Sequence, residues 1–152
     1  MEETIHSSAQ VMASVDAETA WQKMRSYGDL DWAAGVEEVE LVVDGLSQVR
    51  RVRLVGSEDW LDERIIAFDE RQRTIHYGIE GESMGVLRNY EARAQILERM
   101  AGCIVRWQCQ AEAKAGHQAD AQALLDQMAK GMAGLFAAYV DGQGVEAADV
   151  RG

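Results

Sequence analysis

The chain has 152 residues, 47% of them hydrophobic, enough for one domain with a substantial core and too few for two independent ones. Fifteen Lys plus Arg against twenty-six Asp plus Glu give a formal charge of −11, which repels phosphate backbones and anionic lipid surfaces and argues against nucleic acid as a partner. No stretch approaches the ~18 apolar residues of a membrane span, and Met1 to Thr4 hold two acids where a secretory leader has a basic cluster, so a cytoplasmic protein without membrane insertion is expected.

Ile5, Ala9, Val11 and Ala13 share one parity against His6, Gln10 and Ser14, the period-2 pattern of a half-buried first strand. Asp16 offers an N-cap, Glu18 suits the first helical turn, and Ala17, Ala20, Trp21, Met24 and Tyr27 recur at helical spacing until Gly28 stops the run. A second short helical turn and loop, containing Trp32, are expected between Asp29 and Gly35. Val36 to Val43, an Asp44-Gly45 turn and Val49 to Val55 read as a hairpin. The meander continues through Asp59 to Phe68, Thr74 to Ile79 and, after the loop Gly81 to Gly85, Leu87 to Leu97. Met100-Ala101-Gly102 turns into a last strand with Cys103, Val105, Trp107, Cys109 and Ala111 on its inner face.

From about Ala119 the period changes. Ala121, Leu124, Leu125, Met128, Met132, Leu135, Phe136 and Tyr139 form one stripe of a long C-terminal helix. Gly131 and Gly134 each cost a helix about 1 kcal/mol relative to Ala, so a strand or ligand is expected to approach closely there. Residues 1–140 read as a single domain, and the glycine-bearing, acidic stretch 141–152 as a disordered tail.

The fold class is α+β: a curved seven-stranded antiparallel sheet wrapped around the long helix, with two short helices after strand one. The concave face of so long a sheet exceeds what one helix covers, which predicts an apolar cavity. Strand parity places Val52 and Leu54, Leu61, Glu63, Ile65 and Ala67, Ile75, Tyr77 and Ile79, Tyr90, Ala92, Ala94 and Ile96, and Val105, Trp107 and Cys109 toward it. Met128, Met132 and Phe136 join them from the helix, and Arg50 and Arg88 fall in the same phase at strand ends. Glu63 in an apolar phase needs a cationic partner, Arg50 or Arg88, or a raised pKa. It either forms a wall ion pair or, with Tyr90 and an arginine, orients a ligand's hydroxyl, carbonyl or carboxylate. Tyr77 reads as core, whereas Tyr90 and Trp107 suit core and pocket wall equally. Trp32, Met84 and Val86 are candidates for a mobile apolar gate.

Other chemistries find little support. Cys103 and Cys109 point the same way about 20 Å apart on one strand and cannot bridge each other. There is no CxxC, and none of His6, His76 and His117 lies beside a Cys, so no metal and no cofactor are expected. His6 and His76 take the outward phase, and Lys23, Lys114 and Lys130 are not internal, which removes histidine acid/base chemistry and a Schiff-base lysine.

Several strings resemble the START/SRPBCC superfamily, the helix-grip fold of the birch-pollen allergen, and nearest to them are its polyketide cyclase/dehydrase-like members. They are Val15-Asp16-Ala17-Glu18-Thr19-Ala20-Trp21, Trp32 followed by Gly35-Val36, Val49-Arg50, Glu63-Arg64-Ile65 leading to Asp69-Glu70, Tyr77-Gly78-Ile79, Asn89-Tyr90 and Trp107. Their order spans Ile5 to Val140. Many members have proline where this chain has Asp16 and Ala33, a departure at the cavity rim. The resemblance implies the helix-grip fold and three functions to be told apart. The first is binding or transport of a small hydrophobic molecule such as a lipid, isoprenoid or polyketide-like aromatic. The second is a polyketide cyclase or dehydrase using Glu63 or Tyr90 as acid/base. The third is a protein-partner or assembly factor using Trp32 and the acidic exterior, and a monomer and a homodimer are both open.

Overall fold

The computed structural model describes residues 3–26, 36–44, 47–56, 58–79 and 85–142. The elements follow the sequence periodicities: β1 (Glu3–Ala13), α1 (Ala17–Met24), β2 (Val36–Asp44), β3 (Ser47–Leu54), β4 (Trp60–Asp69), β5 (Thr74–Ile79), β6 (Leu87–Glu98), β7 (Cys103–Ala113) and α2 (Gln118–Val140). All seven strands form one antiparallel sheet in the order β1-β7-β6-β5-β4-β3-β2. β2 to β7 are a plain meander, and β1 returns to pair with β7. The expected second short helix falls on residues outside those described.

α1 starts where Asp16 caps it, its Oδ1 accepting from the Thr19 N–H at 2.7 Å, a bond that holds the Asp16 carboxyl below its ordinary value. The buried Trp21 donates its Nε1–H to Glu70 Oε2 at 2.7 Å, and its ring lies 5.3 Å from that of Phe68. Phe68 reaches it because of a bulge. The register pairs Ile65 with Tyr77 but Phe68 with Ile75, so the extra residue reverses the parity of β4. Ala67, expected inward, is therefore exposed, and Phe68, opposite the buried Ile75, takes the inner phase by register while staying 39% exposed.

α2 packs against β1 and β7, with no comparable contact to β3, β4 or β5. Its buried face is Ala121, Leu125, Ala129, Ala133 and Ala137 at four-residue spacing, with Phe136 and Val140. This corrects the expected stripe: Leu124, Met128, Met132 and Tyr139 are only partly buried, and Leu135 is exposed. Small side chains let the helix axis come close to the sheet, which outweighs the apolar area that the larger residues would hide there. Polar bonds fix both ends. Ser7 Oγ donates to Asp126 Oδ1 at 2.6 Å, and Gln122 Nε2 donates to the same oxygen and to the His6 carbonyl at 2.9 Å each. Asp141, placed in the tail by the sequence reading, accepts from the Ser14 and Val15 backbone N–H groups at 2.8 and 3.1 Å. Residues from 143 onward lie outside the described set.

No strand makes the close approach expected at Gly131 and Gly134, since a Cβ at either would meet no protein atom within 4 Å among the described residues. Both glycines then cost helix propensity with no packing return. Gly131→Ala and Gly134→Ala should each raise stability by up to about 1 kcal/mol, read as a higher urea midpoint at unchanged slope.

Candidate functional site

Antiparallel register sets Arg50 on β3 directly opposite Glu63 on β4, and Ile65, two residues along, opposite Tyr77 on β5. Three neighbouring strands therefore bring a guanidinium, a carboxylate and a phenol to one part of the inner face. Arg50 donates from Nε to Glu63 Oε1 at 2.5 Å and pairs with the same oxygen through Nη2. The two side chains are only 6% and 15% exposed, and the guanidinium carbon sits 5.2 Å from the Tyr77 ring centroid. From β7, Trp107 Nε1–H donates to Tyr77 Oη at 3.1 Å. The result is a polar chain, Glu63 to Arg50 to Tyr77 to Trp107, inside a largely apolar surface. Because the desolvated charges are paired, each makes the other tolerable there.

A second polar contact lies deeper, where the Tyr90 hydroxyl and Cys109 Sγ are 3.3 Å apart and both residues are buried. Burial pushes the Tyr77 phenol well above its ordinary value, with the Glu63 charge adding to the effect. Burial likewise raises Tyr90, with smaller contributions from Tyr77 and Cys109, and lifts the Cys109 thiol to about 11. All three groups stay protonated at neutral pH, so none of them is a phenolate or thiolate there.

The structure separates the residues that parity had grouped. Leu61, Glu63 and Ile65 on the sheet and Met128 and Met132 on the helix are partly buried, and the four apolar ones flank the main core where close packing ends. Arg50 and Tyr77 are buried, paired across the strands with Glu63 and Ile65 respectively. Tyr90, Ala92, Val105, Trp107 and Phe136 lie inside the packed core, the Trp107 and Phe136 rings 6.1 Å apart. Val52 is buried in a separate cluster with Val36 and Val39, and Leu54, at the end of β3, is 42% exposed. Arg88 is out of phase. A bulge between Arg88 and Glu91, where Asn89 takes φ +50°, leaves Leu87 inward opposite Ala113 and Arg88 paired with the outward Glu112. Of the proposed gate, Val86 packs partly buried against the core, while Trp32 and Met84 lie outside the described residues.

The sequence reading set Tyr77 among the inward residues and favoured core for it, and it did not anticipate the contacts with Arg50 and Trp107. The signal for them was the cross-strand register, which the β4 bulge hides from simple parity. Two open recesses, of about 610 and 720 Å³, lie on the opposite, outer face. His6, Ser8, Arg93 and Gln108 line one, and Arg64, Ile66 and Asn89 line part of the other. The outward phase expected of His6 and His76 holds, and His76 Nε2 meets Glu91 Oε1 at 2.7 Å.

Removing one partner of a buried pair strands the other. Glu63→Gln should cost about 3 kcal/mol in urea denaturation, and the Arg50→Met/Glu63→Leu double variant should recover most of it. Since burial raises Cys109 from 9.0 to about 11, folding favours its thiol form. That contribution is complete below the unfolded thiol's titration and fades as pH climbs towards 11. The fall in stability between pH 9 and 11 should be shallower in Cys109→Ala than in the parent chain.

Comparison with known proteins accords with this architecture. Norcoclaurine synthase from Thalictrum flavum superposes with a TM-score of 0.72 at 17% identity, over 91% of this chain and 94% of that one. The protein XoxI from Bacillus cereus gives 0.74 at 21%, over 90% and 96%, and the Zhui aromatase/cyclase from Streptomyces sp. R1128 gives 0.69 at 17%, over 96% and 98%. Such identities establish the fold and no activity. No curated protein matches the sequence. A family model described as "Polyketide cyclase / dehydrase and lipid transport" matches residues 4–141, and the chain belongs to that family.

Proposed function

We propose that this chain binds or carries a small hydrophobic molecule, a lipid, isoprenoid or polyketide-like aromatic, held against the inner face of β3 to β5. The observation that carries the reading is where α2 lies. It packs on β1 and β7, away from the strands that carry the buried Arg50, Glu63 and Tyr77 group, and apolar side chains are left half-buried on both elements, Leu61 and Ile65 on the sheet and Leu124, Met128 and Met132 on the helix. Unbranched methionines adapt to differently shaped apolar partners, which suits a lining better than a packed core does. The family's own description, which includes lipid transport, supports the same reading.

A cyclase or dehydrase at this place would take Glu63 as proton acceptor and Tyr90, which burial holds protonated, as proton donor.

Native mass spectrometry of the chain purified from its own cells should show a bound small molecule that denaturation releases, and apolar aromatic probes should raise its melting temperature. Met132→Trp, which enlarges a half-buried side chain on the helix flank, should abolish that thermal shift while the far-UV spectrum stays unchanged. No adduct and no probe that stabilises the chain would overturn the proposal.

A further inference from the structure

We infer that the outer-face recess around Arg93 binds a small oxyanion, a phosphate, sulfate or carboxylate group, held by the Arg93 guanidinium with Ser8 and Gln108 as neutral donors. The site lies on the opposite side of the sheet from the inner-face surface proposed above and stands independently of it.

Two neighbouring rows of the outer face differ in how their polar groups are satisfied. Across β1, β7 and β6 one row reads Gln10, Arg106, Gln95, and the next reads Ser8, Gln108, Arg93, with His76 of β5 continuing it. In the first row Arg106 donates from Nε to Gln10 Oε1 at 2.9 Å and from Nη1 to Gln95 Oε1 at 3.3 Å, so the three side chains close on one another. In the second, the side chains of Ser8, Gln108 and Arg93 make no hydrogen bond or ion pair among the described residues. Glu91, two residues along β6 on the same face, is the carboxylate within reach of Arg93, and it is turned to His76 Nε2 at 2.7 Å.

These unspent donors share one hollow. Ser8, Gln108 and Arg93 line an open recess of about 610 Å³, with His6, His76 and Glu91 at its margins. Adjacent strands lie ~4.8 Å apart, so the three donors span about 10 Å, a distance that the long Arg and Gln side chains can close around a single group. A guanidinium presents a fork of N–H donors matched to two oxygens, and a hydroxyl and a carboxamide add further donors without a second charge. The whole chain carries a charge of −11, so an anion approaches against the overall field and saturable binding requires a local cluster of this kind.

The three histidines of the chain give the test an internal reference. His6 and His76 line the recess, and His117 stands outside it at the start of α2. Sodium phosphate, sulfate and acetate are each titrated into the intact chain at pH 7.5, with ionic strength held constant by chloride, and the imidazole C2 protons are followed by NMR. His6 and His76 should shift saturably while His117 stays still. Arg93→Gln should weaken this binding about tenfold or more. Arg106→Gln, which removes an equal charge from the neighbouring row, should leave it within about twofold. Tighter binding of phosphate and sulfate assigns a tetrahedral group, and tighter binding of acetate a carboxylate. Shifts that fail to saturate, that chloride alone reproduces, or that Arg106→Gln weakens as much as Arg93→Gln would overturn the site and leave the inner-face proposal untouched.

Discussion

The contact between the alanine face of α2 and the β1/β7 edge of the sheet sets everything else in this molecule. Seven strands spaced by ~4.8 Å make a sheet roughly 30 Å wide, and a helix with its side chains is about 10 Å across. One helix therefore covers only part of the inner face, and where it sits decides which part stays open. Ala121, Ala129, Ala133 and Ala137 draw α2 onto β1 and β7, the Ser7, Asp126 and Gln122 bonds hold its first half there, and Asp141 ties its end to the start of α1. The strands β3 to β5 make no comparably close backbone approach to it, although Ile75, Tyr77 and Ile79 of β5 are buried in the same core. A helix with leucine at those alanine positions would stand further off the sheet and leave a different hollow.

The arginines of β3 show how one short stretch divides between the two faces. Arg51 and Arg53 point outward, flank Trp60 at 5.4 and 5.9 Å, and pair with Asp62 and Glu38 near solvent, where such pairs contribute little. Arg50 points inward and pairs with Glu63 in a setting about as dry as the core. The same residue type thus forms solvent-screened pairs on one face and a desolvated pair on the other. The parity of a single strand makes that difference, and it is why a one-residue slip in β3 would be ruinous.

Much of this was legible in the sequence. The seven strands, the Asp16 cap, the long final helix and the inward phase of Glu63 all follow from period, capping chemistry and the misfit of an acid among apolar neighbours. What parity misread has two physical causes. Bulges at Ile65/Ala67 and Arg88/Glu91 each insert one residue, so Ala67, Phe68 and Arg88 changed faces, and no local pattern announced the insertion. The helix stripe was drawn by hydrophobicity, which ranks methionine and leucine above alanine, whereas close packing onto a sheet ranks by size. Tyr90 and Trp107, expected to suit core and wall equally well, are enclosed by core.

The charge state of the inner face bears on whether such a site carries or converts its ligand. General base catalysis at neutral pH needs a group that accepts a proton and can release it, poised near that pH. Tyr77, Tyr90 and Cys109 are held protonated by burial, and His6 and His76 belong to the outer face. Glu63 is the remaining acceptor among these residues, and its carboxylate is the group to which Arg50 donates. A proton transfer through Glu63 would therefore have to weaken the pairing that accompanies the burial of both side chains, whereas holding a ligand leaves that pairing intact.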